Sequence, residues 1–355
     1  MNQGSYKEAL IAFADHSHEF TVEPVTNGLI NQSFKITGND TGGSFLLQQI
    51  NHHVFTRPEK LQQNYMLLWK YLREKDIPFI IPEPKHFIND KTFFKDGQNN
   101  YWRVFEFISG TKTLNIADNI SQAKGVANIF AGFTACFSKF DSNQLHITIP
   151  DFHNLSLRFR QFTQSLSNGL NERIRKSQQL IDDLNLRERY VNFYETIIES
   201  DEFRLRVMHH DAKISNVLFD TASEKLICPV DFDTVMPGYF FSDLGDMIRS
   251  MACSENENSN RYEELNIRKD FYDAIVSGYT EVLNGQLTFS EKKYIHLSGL
   301  LMIYMQALRF LTDYLNGDIY YRISYPEHNF DRATNQVILL KNLEEFLIHN
   351  YHFKF

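Results

Sequence analysis

Residues 20–50 alternate apolar and polar positions between turn residues, the period-two signature of half-buried strands. Three strands are predicted there. A tight turn at 40–43 separates the last two, and Asn27 and Gly28 open a loop before Phe34, Lys35 and Ile36. Residues 1–16 read as a short amphipathic helix. Pro58 stands where a first helical turn tolerates a missing N–H, and Leu61, Tyr65, Leu68 and Leu72 recur on one face, so a helix follows. Residues 78–108 return to short strand-like runs ending in Tyr101–Phe107. From 111 onward the apolar spacing is helical. Val126, Phe130, Phe133 and Phe137 share a face behind a cap at Ser121. Long polar-rich helices are predicted in 153–200, further helices in 264–283, 290–316 and 331–350, and an exposed loop in the polar stretch 254–263.

The helical half is interrupted by 209–246. Val217-Leu218-Phe219 and Leu226–Val230 are apolar runs on either side of a polar turn, which predicts a β-hairpin. Pro229 has no N–H to donate, so its strand is predicted at a sheet edge. Symmetric pairing puts the hairpin midpoint between Ser223 and Glu224 and sets Asn216 opposite Asp231. Pro237 and Gly238 predict a tight turn just beyond.

This segment also holds the chemistry. An amide and a carboxylate side by side are hard oxygen ligands of the kind Mg²⁺ takes, one or two from protein and the rest from water and phosphate. A further carboxylate, Asp211, is free to orient and deprotonate an attacking hydroxyl. The spacing His209-x-Asp211-x₄-Asn216, then Asp231-Phe232, follows the order of a kinase catalytic loop and its metal-binding Asp. Phosphoryl transfer is the reaction this pattern points to.

The motif resembles that of the aminoglycoside phosphotransferase and choline kinase superfamily, which carries H-G-D-x₄-N followed by I-D-[FWL]-[ED]. The stretch VDFDTVMPGYFFSDLGDMIRS (230–250) is similar to the N-acetylhexosamine 1-kinases, as are FLLQQINHHVFTRPEKL (45–61) and RFLTDYLNGDIYY (309–321). The resemblance implies a bilobal, protein-kinase-like α+β fold: an antiparallel-sheet nucleotide-binding lobe over 1–105, a hinge near 104–110, and a helical catalytic and acceptor lobe over 106–355. It implies Asp211 as catalytic base, Asn216 and Asp231 as ligands of Mg²⁺, and Asp243 as the brace of the catalytic loop, with His209 holding loop backbone. Asp233 is open between a second metal or substrate contact and a structural hold on its turn. ATP is the implied cofactor, met by Gly28, Asn31, Gln48 and the hinge residues Glu106 and Phe107. Asp246, Arg249, Arg309 and Tyr320 are the acceptor candidates. For Asp246 with Arg249 and for Arg309 with Asp313, a helix salt bridge or buried pair is the competing reading.

Two residues depart from the family pattern. His210 replaces its usual Gly. Gln48 stands where kinase-like folds carry a phosphate-gripping cation, leaving Lys35 or Arg57 as substitutes from neighbouring elements.

Composition narrows the partners. The net charge is −8 with no Lys/Arg block, which argues against nucleic acid or an anionic membrane. The longest apolar run, Leu300–Phe310, is too short to span a bilayer and contains Gln306 and Arg309, so a core helix is predicted. Three cysteines without a C-x-x-C and no secretory pattern predict reduced thiols and a cytoplasmic protein. The leading expectation is an ATP- and Mg²⁺-dependent kinase of the anomeric hydroxyl of an N-acetylhexosamine. The alternatives are a kinase of amino alcohols or aminoglycosides, or a nucleotide-binding pseudokinase. Oligomeric state is not specified.

Overall fold

The computed structural model describes residues 6–14, 19–25, 30–39 and 43–355. Residues 1–5 and 15–16 of the predicted first helix, the predicted loop at Asn27 and Gly28, and residues 40–42 of the predicted turn lie outside the described residues. The chain forms two compact units. The first runs to Thr113 and includes Asn143–Ile149 and Leu218–Met236. The second comprises Leu114–Ser142, Pro150–Val217 and Pro237–Phe355.

The first unit opens with α1 (Lys7–Ala14) and an antiparallel meander of β1 (Phe20–Val25), β2 (Gln32–Gly38) and β3 (Ser44–Ile50). Helix α2 (Pro58–Glu74) starts with Pro58 in its first turn and buries Leu61, Tyr65, Leu68 and Leu72, the predicted face. Strand β6 (Tyr101–Glu106) pairs with β3 along one edge, placing Gln48 directly across from Arg103, and with the two-residue strands β4 (Pro84–Lys85) and β5 (Phe94–Lys95) along the other. Most of 78–100 is irregular, because its prolines remove the N–H groups that a ladder needs. Ala9, Ile36, Leu47, Phe87, Trp102 and Val104 form the core of one sheet face. Strand β7 (Thr111–Lys112) pairs with a later strand, Thr111 with Asp220 and Lys112 with Phe219.

The second unit begins with α3 (Ile120–Cys136). Its cap is Asn119, whose side chain accepts the Gln122 N–H; the predicted cap Ser121 lies inside the first turn. Residues 153–200 form four helices rather than long ones: α4 (Leu155–Asn168), α5 (Asn171–Lys176), α6 (Gln178–Asn185) and α7 (Arg189–Glu199). Strand β8 (Arg206–Met208) leads into the loop at 209–216, and the chain then returns to the first unit.

There β9 (Val217–Asp220) and β10 (Leu226–Pro229) form the hairpin, in a sheet ordered β10-β9-β7. Pro229 therefore lies on an edge strand. The register differs from the symmetric expectation. The Asp220 N–H donates to Lys225 O, and Glu224 adopts a left-handed φ of 56°. Asp220 thus faces Lys225, and the ladder ends at Pro229 before reaching Asp231. The predicted opposition of Asn216 and Asp231 does not follow from this hairpin. Asn64 of α2 ties the later segments of this unit to its first: its amide bonds the backbone of His146 on both sides, at 2.8 Å each, and Val235 O.

Strand β11 (Met236–Gly238) pairs with β8, so Pro237 and Gly238 sit in a strand and not in the predicted tight turn. Helices α8 (Phe241–Met247), α9 (Lys269–Leu283), α10 (Phe289–Lys293), α11 (Leu297–Leu315) and α12 (His328–Tyr351) complete the chain. The nearly all-buried α11 is surrounded by α4, α8 and α12, as an apolar core helix must be. Among the described residues no helix is long and apolar enough to cross a membrane. Helix α8 approaches α11 at Gly245, where a methyl group would collide with the Ser298 carbonyl and the Met302 side chain. Gly245→Ala should therefore lower stability by about 1–3 kcal/mol in urea denaturation. A neutral result would show that these helices can separate freely.

Candidate active site

In the second unit β8 delivers a loop whose backbone is pinned by one carboxylate. The N–H groups of His209 and His210 donate to the two oxygens of Asp243, at 2.9 and 2.7 Å. Asp243 is fully buried in the first turn of α8. Burial pushes its carboxyl up to about 7. The two backbone donors pull it down, while Asp246 and Asp211 push it up. The His209 ring is buried edge-on against Phe130 and Phe133.

Asp211 follows directly. The Asn216 Nδ2 lies 2.9 Å from Asp211 O and 2.8 Å from Asp211 Oδ2. Both partners are acceptors, so the amide nitrogen must face Asp211 and its oxygen must point elsewhere. Lys213 places its ammonium 2.9 Å from the same Oδ2. A charged donor and an amide donor thus fix one carboxylate oxygen.

His210 occupies φ 64°, the left-handed region that Gly enters without strain. The imidazole has its own setting: Ser242 Oγ lies 2.7 Å from His210 Nδ1 and 2.6 Å from His153 Nδ1. A hydroxyl carries one proton, so it donates to one ring and accepts from the other. The His210 ring also lies over the α-carbon of Gly238, leaving no room for a β-carbon there. This close approach, rather than a turn, is what requires Gly238. Burial holds His153 well below its usual pKa, and the charges of His210, Arg309, Arg158 and Arg249 add to that.

In the first unit the Asp231-Phe232-Asp233 segment leaves β10 through Asp231, exposed and left-handed at φ 62°. Phe232 packs edge-on against Tyr65 of α2. Asp233 is buried. Its Oδ1 lies 2.7 Å from the Arg103 guanidinium, and its Oδ2 accepts from Asn31 Nδ2 at 2.6 Å. Arg103 Nε donates in turn to Gln48 Oε1 at 3.1 Å, and Gln48 Nε2 to Ser33 Oγ at 2.9 Å. Lys35 is engaged with Glu23 and lies over the Phe107 ring; Arg57 stands at the start of α2. The N–H of Glu106 donates to Glu83 O, and that of Phe107 to Ser44 O.

The acceptor candidates lie in the second unit. Asp246 and Arg249 are bonded at 3.0–3.1 Å, and Arg249 also meets Glu257, which pairs with Arg332. Burial alone would raise the Glu257 carboxyl, but Arg249 and Arg332 outweigh it and hold it down at about 2. Asp246 is pushed up to about 6 by burial, against the pull of Arg249. Asp313 is not a partner of Arg309. It accepts the N–H groups of Tyr320 and Tyr321 and the amide of Asn329. Arg309 bonds Gln306 and lies 5.4–5.7 Å from the ring centres of Phe152, Tyr320 and Tyr321. The Tyr320 side chain is largely exposed.

Sequence reasoning missed Lys213, Arg103, His153 and Glu257. Lys213 lay in plain view two residues after Asp211. The other three act across long sequence separations, and no local spacing marks them.

Two outcomes are expected. Gly238→Ala should destabilise by about 1–3 kcal/mol by overpacking, and His210→Gly should remove most of that cost, so a double-mutant cycle should show strong coupling. His153, with its pKa depressed in the folded state, binds fewer protons folded than unfolded. Its stabilising contribution is complete above the unfolded value of about 6.5 and is lost as pH falls below it. Relative to His153→Gln, the wild-type chain should lose about 1 kcal/mol between pH 7 and pH 5.5 in urea titrations.

Residues 21–274 match the model of the phosphotransferase enzyme family. An aminoglycoside phosphotransferase from Alicyclobacillus acidocaldarius has a similar fold, with 14% identity, TM-score 0.60, and 96% of this chain and 95% of that one covered. A microcompartment-associated aminopropanol kinase matches at 14% identity and TM-score 0.58 over 96% of each chain. The GDP complex of an aminoglycoside 2'-phosphotransferase-IIIa matches at 15% identity and TM-score 0.59, over 95% of this chain and 99% of that one. These likenesses establish a kinase-like fold, with a small antiparallel-sheet lobe and a large helical one. With the family model matching most of its length, the chain belongs to the phosphotransferase enzyme family.

Proposed function

We propose that this phosphotransferase is an ATP-dependent kinase of a small-molecule hydroxyl, and that its acceptor is the anomeric hydroxyl of an N-acetylhexosamine. The observation that carries the reaction is the setting of Asp211. It sits on a loop pinned by Asp243, with one oxygen fixed by Asn216 and Lys213. In this reading Asp211 orients the acceptor hydroxyl and takes its proton. Lys213 holds that carboxylate in place.

The donor set suits Mg²⁺. The Asn216 oxygen is turned away from Asp211 and Asp231 carries an exposed carboxylate, which are hard ligands. Such an ion takes one or two ligands from protein and the rest from water and phosphate. Asn216 and Asp231 would hold it. When bound, it supplies charge neutralisation to the triphosphate of ATP. Asp233, already engaged by Arg103 and Asn31, is assigned to the structural hold on its turn.

The acceptor class is inferred from charge. Around His153 stand Arg158, Arg249 and Arg309, while the nearby acids Asp246 and Glu257 are tied to Arg249 and Arg332. A cationic amino alcohol or aminoglycoside would meet these arginines, and Asp246 and Glu257 are already paired with them or with Arg332. A neutral sugar would find in Arg309 an array of N–H donors set among aromatic rings, suited to hydroxyl and N-acetyl oxygens.

Asp211→Ala should lower kcat by at least about a thousandfold while MgATP binding stays within a few-fold in calorimetry. Near-normal turnover would remove Asp211 from the mechanism. Arg309→Ala should raise KM for the sugar about tenfold or more and leave KM for ATP alone. Preferential turnover of amino alcohols by the wild-type chain would keep the kinase and reject the sugar.

A further inference from the structure

Resting on the reading of this chain as an ATP-dependent kinase, we infer that Gln48 is a phosphate donor of its nucleotide site and that Arg103, its partner on the neighbouring strand, positions the Gln48 amide. Gln48 and Arg103 are register partners on β3 and β6, and such partners hold their β-carbons about 5 Å apart. A long side chain from one position can therefore reach the side chain at the other. Arg103 does so: its Nε–H bonds the Gln48 amide oxygen, and its terminal nitrogen reaches Asp233, two residues beyond Asp231.

Three features set this contact apart from an incidental core ion pair. Arg103 is only 3% exposed, on a strand whose alternate residues Trp102 and Val104 enter the apolar core of the opposite face. A guanidinium so placed is costly without a purpose-built setting. Second, Arg103 can only donate, so it forces the Gln48 oxygen inward and leaves the amide nitrogen outward. That nitrogen uses one N–H on Ser33, and the other is available to a phosphate oxygen. Third, the chain of contacts Ser33–Gln48–Arg103–Asp233–Asn31 continues through the Asn31 oxygen to the backbone N–H of Asn51. It fixes β2, β3, β6 and the Asp231–Asp233 turn as one polar layer. The work of a single lysine is thus divided. Gln48 is the phosphate donor, and Arg103 is the positioning residue that holds its amide and ties it to the buried Asp233.

The test measures equilibrium binding of MgATP, and of ADP in EDTA, to the full chain, together with KM for both substrates. Arg103→Met leaves the buried Asp233 charge unpaired and destabilises the lobe, so Arg103→Met/Asp233→Asn is made alongside it. The paired variant should fold, bind both nucleotide forms at least tenfold more weakly, and keep KM for the acceptor within twofold. Loss of a metal ligand at Asp233 would instead appear only with Mg²⁺. Gln48→Lys/Arg103→Met should recover binding to within about threefold of wild type, because the lysine donates to phosphate from β3 without Arg103 to position it. Wild-type affinity in the paired variant, or no recovery on adding Gln48→Lys to a folded Arg103→Met chain, would make Arg103 a structural ion pair only. A wild-type chain that binds no nucleotide would overturn the kinase reading and this inference together.

Discussion

The loop that carries Asp211 depends on the two bonds that the Asp243 carboxylate receives from consecutive backbone N–H groups of His209 and His210. Two unmet donors in a fully buried loop would cost several kcal/mol. One carboxylate on the following helix satisfies both, and so couples the position of Asp211 to the packing of α8 on α11. The close approach at Gly245 and the ring of His210 over Gly238 belong to the same arrangement. Neither glycine serves flexibility. Each permits a neighbour to come near enough that the loop has one place to lie.

Charge is handled consistently in both units. Carboxylates are met by arginines: the buried Asp233 by Arg103 of another strand, and the part-buried Glu257 by Arg249, eight residues before it, and by Arg332. Removing one member of such a pair strands the other, so these contacts enforce geometry more than they add stability. Asp211 differs. It is partly exposed and is held by Lys213 and Asn216 through one oxygen. A carboxylate fixed at one oxygen points in one direction and leaves its other oxygen to be approached.

Much of this was legible in the sequence, and the failures have physical causes. Local periodicity revealed α2, the three-strand meander and the core helix α11, because burial of one face sets the spacing directly. Pro229 marked an edge strand, since a missing N–H has no other place in a ladder. Hairpin register was misjudged because turn geometry sets it: the side chain of Asp220 bonds Ser223, and Glu224 turns left-handed, which shortens the loop. The α3 cap was misassigned because Asn119 and Ser121 are both competent caps two residues apart, and the backbone direction that selects one is not local. Arg103 escaped notice because strand register, which no run of residues displays, makes it the neighbour of Gln48. His210 looked like an anomaly in a glycine position, yet it carries a partner set in Ser242 and His153 that no glycine could use.

The central claim is that the loop around Asp211 transfers phosphate from ATP to a sugar oxygen. The most direct measurement is ³¹P NMR of the purified chain with MgATP and N-acetylglucosamine or N-acetylgalactosamine. The account predicts loss of the γ-phosphate signal and a new phosphomonoester resonance split by the anomeric proton. An ATP spectrum unchanged over hours, from folded protein that binds ATP in the presence of either sugar, would contradict it.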